Sequence, residues 1–205
     1  LRRLLTRALI FDVHEDLQAH VGPNQFAVGI SGGCPAMALS VQKLAHKHRN
    51  LVFFKLDLVN AYNTQSREDA LESLQEAAPE LASFLRQFYG TPSQYLYRLG
   101  RNDHTIITAR EGIEQGDAAG PALFACGLKR PLDELRIALR RLVREGEGYE
   151  ADCENEGQEG EADTPDATAV FAYLDDTIVA VPSQHAAAAF DAAIEVFSRA
   201  GHTVH

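Results

Sequence analysis

The chain of 205 residues predicts an α+β domain in which a mostly antiparallel sheet is backed by helices. Helical and strand patterns follow one another in the order helices, strand, helices, hairpin, helix, hairpin, helix. Two pairs of short apolar runs are each joined by a polar turn, which is typical of antiparallel hairpins. Apolar residues make up 45% of the chain, which is enough for a core of its own.

The first fifty residues predict helices on either side of a glycine-rich turn. Apolar residues recur at helical spacing from Leu4 to Leu17, and this amphipathic helix ends near Gly22-Pro23. The glycine-rich turn covers 27–34, and a second helix runs from Pro35 to about Arg49, because proline suits the first helical position. A phosphate-cradling role for the glycines is the alternative, although neither GxxxxGKS nor GxGxxG is present.

The remaining elements follow from apolar runs, turns and leucine spacing. We expect a strand at 51–58, helices at about 67–77 and 80–89, and a hairpin from the runs 95–99 and 105–108. We further expect a long helix at about 121–144, strands at 169–173 and 177–181, and a last helix at about 184–200. Pro79 separates the two middle helices, since proline cannot continue a helix. The last two strands are joined across the tight turn Leu174-Asp175-Asp176.

The formal net charge of −10 comes from one stretch of the chain. Ten acidic residues and no basic residue lie between Glu145 and Asp166, which leaves the rest of the chain neutral. This stretch contains almost no apolar residue that could offset the entropy of ordering, so we expect a disordered insertion at about 145–168. An acidic partner-binding loop is the alternative. The neutral remainder permits a nucleic-acid partner without requiring one.

Compartment is indicated by apolar runs and cysteines. No apolar run approaches the roughly 20 residues needed to cross a bilayer, and the first residues are too amphipathic for a secretory signal. Cys34, Cys126 and Cys153 are far apart and lack paired spacing, which argues against disulfides and a zinc site. We therefore expect a soluble intracellular protein of the nucleus or cytoplasm.

The carboxylates of Asp57, Asp175 and Asp176 predict a metal site. Asp57 ends an apolar strand, where an unpaired buried carboxylate is costly, and the adjacent charges of Asp175 and Asp176 repel each other. Two strands of one sheet that present carboxylates at adjacent ends form a hard oxygen site suited to Mg²⁺. Two such ions about 3.5–4 Å apart clamp the attacking and leaving oxygens of a phosphoryl transfer. The alternative is that Asp175-Asp176 is only a polar hairpin turn.

Three segments carry a resemblance to a known family. They read FKLDLVNAYN at 54–63, EGIEQGDAAGPALF at 111–124 and AYLDD at 172–176. In this order they resemble three successive signatures of reverse transcriptases, and among these the non-LTR retrotransposon (LINE-like) branch. The resemblance covers about residues 25–205. It implies an RNA-directed DNA polymerase palm with an RNA template, a nucleic-acid primer and dNTP as partners, and with two Mg²⁺ ions that Mn²⁺ can replace.

The resemblance also implies roles for single residues. The catalytic carboxylates are Asp57, Asp175 and Asp176: Asp57 and Asp175 hold the metals with help from the Leu58 carbonyl, and Asp176 is the accessory metal-site carboxylate. The nucleotide-binding residues are Leu58, Val59, Asn60, Ala61, Tyr62, Gln115 and Gly116. Among these, Tyr62 is the aromatic gate against a ribose 2′-hydroxyl. The residues under the primer end are Tyr173 and Leu174.

Ordinary roles remain open beside these: Tyr62 as a core residue and Gln115 as a turn residue. Ala118-Ala119 replaces the usual Pro-Leu of the second signature, which loosens that turn. The resemblance divides the chain into partial fingers helices at 1–50 and a palm at 51–205, without a thumb and without the family's downstream lysine. An RNA-dependent RNA polymerase palm and a non-catalytic remnant that serves as a binding module are the alternative functions.

Overall fold

The computed structural model describes residues 2–101, 103–146 and 168–205. Its helices are α1 Arg2–Asp12, α2 His14–Val21, α3 Gly33–Lys47, α4 Ala61–Thr64, α5 Arg67–Ala77, α6 Pro79–Tyr89, α7 Gly120–Gly146 and α8 Ala186–Arg199. Its strands are β1 Leu51–Leu56, β2 Ser93–Arg98, β3 His104–Ala109, β4 Ala169–Tyr173 and β5 Asp176–Pro182. None of the helices within these ranges is long and apolar enough to cross a membrane.

The central sheet has three antiparallel strands in the order β1-β5-β4. The register places Leu56 of β1 opposite Thr177 of β5, and Tyr173 of β4 opposite Asp176. The segment before α3 extends the far edge, because the Phe26 N–H donates to the Ala172 carbonyl at 2.8 Å. β2 and β3 form a separate two-stranded hairpin.

One face of the sheet packs on the helices. Val179 of β5 is fully buried, and the ring of Phe54 on the same face meets that of Phe190 on α8 at 5.7 Å. α7 is the central helix of this layer and packs against α5 and α8. The other face is more open, and there Lys55 and Ile178 lie opposite each other in half-exposed or exposed positions.

The α+β fold class is confirmed. The first helix differs from expectation because it divides at Val13, where the His14 Nδ1 lies 2.7 Å from the Phe11 carbonyl and competes for that helical acceptor. The short helix α4 was not predicted, since four residues are too few for a periodic pattern. Most of the predicted acidic insertion at 145–168 lies outside the described residues.

Candidate active site

The structure brings Asp57, Asp175 and Asp176 to one end of the central sheet. Asp57 follows β1 directly, and Asp175 and Asp176 form the turn and first residue of β5. Because Leu56 pairs with Thr177, continuing the register places Asp57 opposite Asp176. Asp176 most strongly, and then the charges of Asp57 and Asp175, raise the pKa of Lys55.

Lys55 binds one of these carboxylates directly. Its Nζ lies 2.7 Å from Asp176 Oδ1, and this hydrogen bond is the largest cause of the raised pKa of Lys55. Both side chains are about half exposed, at 58% and 51%. Water therefore screens the pair, and its importance lies in where it holds the Asp176 carboxylate rather than in stability.

The donor set fits a hard divalent cation. With Asp176 held by Lys55, Asp57 and Asp175 are the carboxylates left to bind a metal, and oxygen ligands are those that Mg²⁺ prefers. Within the described ranges, no three His, Cys, Asp or Glu side chains stand close enough together to hold an ion. This is consistent with the ion pair between Asp176 and Lys55, which leaves two carboxylates and not three for a metal.

The backbone at Leu58 is oriented by the last residues of the chain. Leu58 forms an antiparallel bridge with Val204, in which the Val59 N–H donates to the Thr203 carbonyl and the His205 N–H donates to the Asp57 carbonyl, both at 2.8 Å. In this pattern the peptide groups of Leu58 itself face away from Val204, on the side of β5. The Leu58 carbonyl is therefore available at the site, whereas the Val59 N–H already has a partner.

A left-handed residue turns the chain from this strand into α4. Asn60 has φ 51°, and Ala61 begins the helix and is buried. Tyr62 then stacks on Phe124 of α7, with ring centroids 4.3 Å apart and planes 5° from parallel. Burial, and after it the charge of Asp175, raises the pKa of Tyr62 to about 12. Tyr62 is thus packed against the core, and the charge of Asp175 acts on its hydroxyl group.

The Gln115-Gly116 turn emerges beside Tyr62. Before the turn, the Ile113 N–H donates to the Tyr62 carbonyl at 2.7 Å. After the turn, Gly120 lies close enough that an added Cβ would be 3.8 Å from Tyr62 Cε1. Gln115 is exposed, and Gly116 is exposed with φ 86°, a conformation that favours glycine.

Asp117 fastens this turn to α1. Its carboxylate binds Arg2 and accepts a hydrogen bond from the Tyr89 hydroxyl at 2.8 Å. Arg2 also lies over the ring of Phe88, with its guanidinium carbon 4.2 Å from the centroid. A small cavity of about 170 Å³ opens here, lined by Arg2, Arg3, Glu114, Gln115, Gly116 and Asp117.

The turn that carries Asp175 is held by a buried glutamine. Gln25 is 1% exposed, and its Oε1 accepts the N–H of Leu174 at 2.8 Å and that of Ala27 at 3.2 Å. Leu174 has φ 56°, so the turn needs an external restraint to keep a strained residue in place. Tyr173 lies against Gly33 of α3, where an added Cβ would be 3.6 Å from the tyrosine ring and 1.8 Å from the Phe26 carbonyl oxygen.

Solved structures of telomerase from Candida tropicalis are similar to this chain. The apo telomerase truncated from its C-terminal domain matches with a TM-score of 0.62 at 10% identity, over 96% of this chain and 39% of that one. The telomerase in complex with the TWJ fragment of telomeric RNA matches with a TM-score of 0.60 at 11% identity, over 96% of this chain and 32% of that one. No protein-family model matches the sequence, and no curated protein matches it.

The chain shares its fold with these telomerase structures. The fold implied by the resemblance of the three sequence segments is supported by this likeness, whereas the non-LTR branch stays a prediction. The chain spans about a third to two fifths of the length of the two telomerase chains.

Two residues of this candidate site were missed by sequence reasoning. Lys55 could have been predicted from the sequence, because residues two apart on a strand share a face and Asp57 was already a candidate. Gln25 had no such signal, since it acts through a contact with Leu174, 149 residues away.

Proposed function

We propose that this chain is the palm of a reverse transcriptase from a non-LTR type retroelement, which adds deoxynucleotides to a primer 3′-hydroxyl on an RNA template. One observation carries the proposal: Asp57, Asp175 and Asp176 all lie at one end of an antiparallel sheet, in a fold shared with telomerase structures. The order of the three sequence segments supports it, and so does the effect of the Asp175 charge on the pKa of Tyr62.

Two carboxylates would bind the metal ions of the reaction. When bound, two Mg²⁺ ions supply activation of the primer hydroxyl and neutralisation of the leaving pyrophosphate, and Mn²⁺ can replace them. Asp57 and Asp175 would hold these ions with the Leu58 carbonyl. Asp176 acts as the accessory carboxylate, since its charge is shared with Lys55.

The other residues select and position the substrates. The Tyr62 ring, braced by Phe124, excludes a ribose 2′-hydroxyl and so favours dNTP over NTP. The Asn60-Ala61 backbone, at the start of α4, contacts the incoming triphosphate, and the turn with Gln115 and Gly116 lines the nucleotide and template pocket. Tyr173 and Leu174, fixed by Gln25, support the primer end.

The test is extension of a labelled DNA primer annealed to an RNA template, with dNTP or NTP and with Mg²⁺ or Mn²⁺. We expect only weak extension with dNTP by these residues alone, and Asp175→Asn to slow it about a hundredfold or more. Asp191→Asn, at an exposed aspartate of α8, is the matched control and keeps full activity. A wild-type chain that neither extends the primer nor binds Mn²⁺ with dNTP would be a non-catalytic remnant. Preferential use of NTP would indicate an RNA-dependent RNA polymerase.

A further inference from the structure

The β2–β3 hairpin exposes an unusual amount of apolar surface. Six large apolar side chains of its strands and turn are between 39% and 71% exposed: Tyr95, Leu96, Tyr97, Leu99, Ile106 and Ile107. Scattered apolar side chains are normal on a protein surface, whereas a contiguous group on one element indicates an interaction site.

The hairpin is fixed at its base by a buried arginine. Arg67 is 6% exposed, and its guanidinium donates to the carbonyls of Gly112 at 2.7 Å and Thr91 at 3.3 Å. It also donates to Ser93 Oγ at 3.2 Å and to the Ala109 carbonyl at 3.4 Å, so both strands are tied to α5. The exposed side chains therefore stand on a preorganised arm, which lowers the entropic cost of binding.

The register divides these side chains between two faces. Tyr95 lies opposite Ile107, and Tyr97 opposite Thr105, on what we call the tyrosine face. Leu96 lies opposite Ile106 on the other face. Two residues along a strand are separated by about 6.6–6.8 Å, so the two tyrosine rings form a row on which bases of a single strand can stack.

The charge of the hairpin complements a polyanion. The stretch 93–110 carries Arg98, Arg101 and Arg110 against Asp103, a net charge of +2 on a chain whose net charge is −10. Arg101 and Arg110 are exposed. Arg98 donates to the Gly100 and Arg101 carbonyls and so braces the turn. Aromatic rings interspersed with arginines are typical of surfaces that bind single-stranded nucleic acid.

The tyrosine face also continues toward the proposed nucleotide pocket. The Tyr95 hydroxyl donates to Glu114 Oε1 at 2.9 Å, and Glu114 directly precedes Gln115. A strand bound along the tyrosines would thus arrive at the turn that emerges beside Tyr62.

We propose that the tyrosine face binds single-stranded nucleic acid, with bases stacked on Tyr95 and Tyr97 and phosphates near Arg101 and Arg110. The choice of RNA as the strand rests on the proposed function, in which the template is RNA. The apolar pair Leu96 and Ile106 on the other face takes no part in this binding.

The experiment measures fluorescence anisotropy of a labelled oligouridylate of roughly 20 nucleotides, titrated with the full chain in EDTA. We expect Tyr97→Ala to weaken binding about tenfold and Tyr97→Phe to retain it, because the ring and not the hydroxyl stacks. Arg101→Gln reduces the slope of log affinity against log salt by about 0.7. The matched controls on the other face, Leu96→Ala and Ile106→Ala, leave affinity unchanged.

Several outcomes would overturn this assignment. Wild-type affinity in Tyr97→Ala, or absence of binding by the wild-type chain at low salt, removes the stacking surface. An equal loss of RNA affinity in Leu96→Ala would show that binding is not confined to the tyrosine face. Since EDTA removes the divalent ions on which the proposed extension depends, the titration measures RNA binding without catalysis. Failure here is thus distinguishable from failure of primer extension.

Discussion

Lys55 Nζ lies 2.7 Å from Asp176 Oδ1 at the end of the sheet where Asp57 and Asp175 also lie. This ion pair gives two adjacent aspartates different surroundings. Asp176 has a cationic partner within the chain, whereas the charge of Asp175 acts on Tyr62. The repulsion expected between neighbouring carboxylates is thereby reduced, because the charge of Asp176 is paired with that of Lys55.

Removal of the ammonium group tests this arrangement. We expect Lys55→Met to tighten Mn²⁺ binding about fivefold at low ionic strength, because it removes a positive charge close to the metal ligands and releases Asp176. The measurement is a Mn²⁺ titration followed by electron paramagnetic resonance. Lys55→Arg is the matched control and keeps the wild-type affinity. If Lys55→Met binds Mn²⁺ no more tightly than wild type, Lys55 does not compete for these carboxylates.

The stacked pair Tyr62–Phe124 leads to a prediction of how the proposed nucleotide pocket selects its sugar. Replacement of Tyr62 by valine removes the ring and should reduce the preference for dGTP over GTP by roughly tenfold to a hundredfold. Tyr62→Phe keeps the ring and the preference. The ratio of kcat/KM for the two nucleotides in primer extension is the readout.

A separate variant tests whether Phe124 supports the ring of Tyr62. Phe124→Leu leaves Tyr62 in place but removes the ring on which it stacks, so we expect an intermediate loss of preference. An unchanged ratio in Tyr62→Val would assign Tyr62 to the core alone.

Local pattern was sufficient to predict most elements of the fold. The helices α5 and α6 and the hairpin of β4 and β5 lie within a few residues of their predicted positions, because leucine spacing and turn residues are local signals. The pairing of β1 with β5 had no local signal, since it joins residues more than 120 positions apart, although the carboxylates had placed both strands in one sheet.

The parts of the site that sequence did not predict depend on such distant contacts. Gln25 holds Leu174 across 149 residues, and the tail at Thr203 takes the N–H of Val59. Neither contact has a local sequence signature, because a glutamine or a threonine is ordinary at a turn or strand end. The sequence likewise placed Asp117 within a motif without indicating its partners, which are Arg2 and Tyr89 in the structure.

Replacement of Arg67 is expected to lower the stability of the fold considerably. Its guanidinium is buried against three carbonyl oxygens and a hydroxyl, so Arg67→Met would leave these acceptors without a donor. We expect the free energy of unfolding to fall by about 2–4 kcal/mol. Urea unfolding followed by circular dichroism measures this.

An exposed arginine provides the comparison for Arg67. Arg130 on α7 has a side chain that is 89% exposed, and Arg130→Met should change stability by less than about 0.5 kcal/mol. Limited proteolysis adds a local readout, since Arg67→Met should make the β2–β3 hairpin more susceptible to cleavage. Equal stability of the two variants would show that the hairpin is held by other contacts.

The buried side chain of His202 leads us to expect a loss of stability in mild acid. The side chain is 2% exposed, its Nδ1 lies 3.3 Å from Thr64 Oγ1, and its Nε2 is buried without a hydrogen-bond partner. Burial lowers the pKa of His202 below its ordinary value of about 6.5, so the unfolded chain takes up a proton before the folded chain does. The stabilising contribution is therefore complete above pH 6.5 and is lost as the pH falls below it.

The predicted decline is up to about 1.4 kcal/mol per pH unit for this one group, measured by urea unfolding between pH 7.5 and about 5.5. His202→Gln cannot take up the proton and should show a shallower decline than wild type. His104→Gln, at an exposed histidine of β3, should retain the wild-type slope. Because His202 precedes Thr203, whose carbonyl binds the Val59 N–H, the same acidification should disturb the strand end that carries Asp57. If the free energy of unfolding declines equally with pH in the wild type, His202→Gln and His104→Gln, protonation of His202 does not limit the stability of the fold.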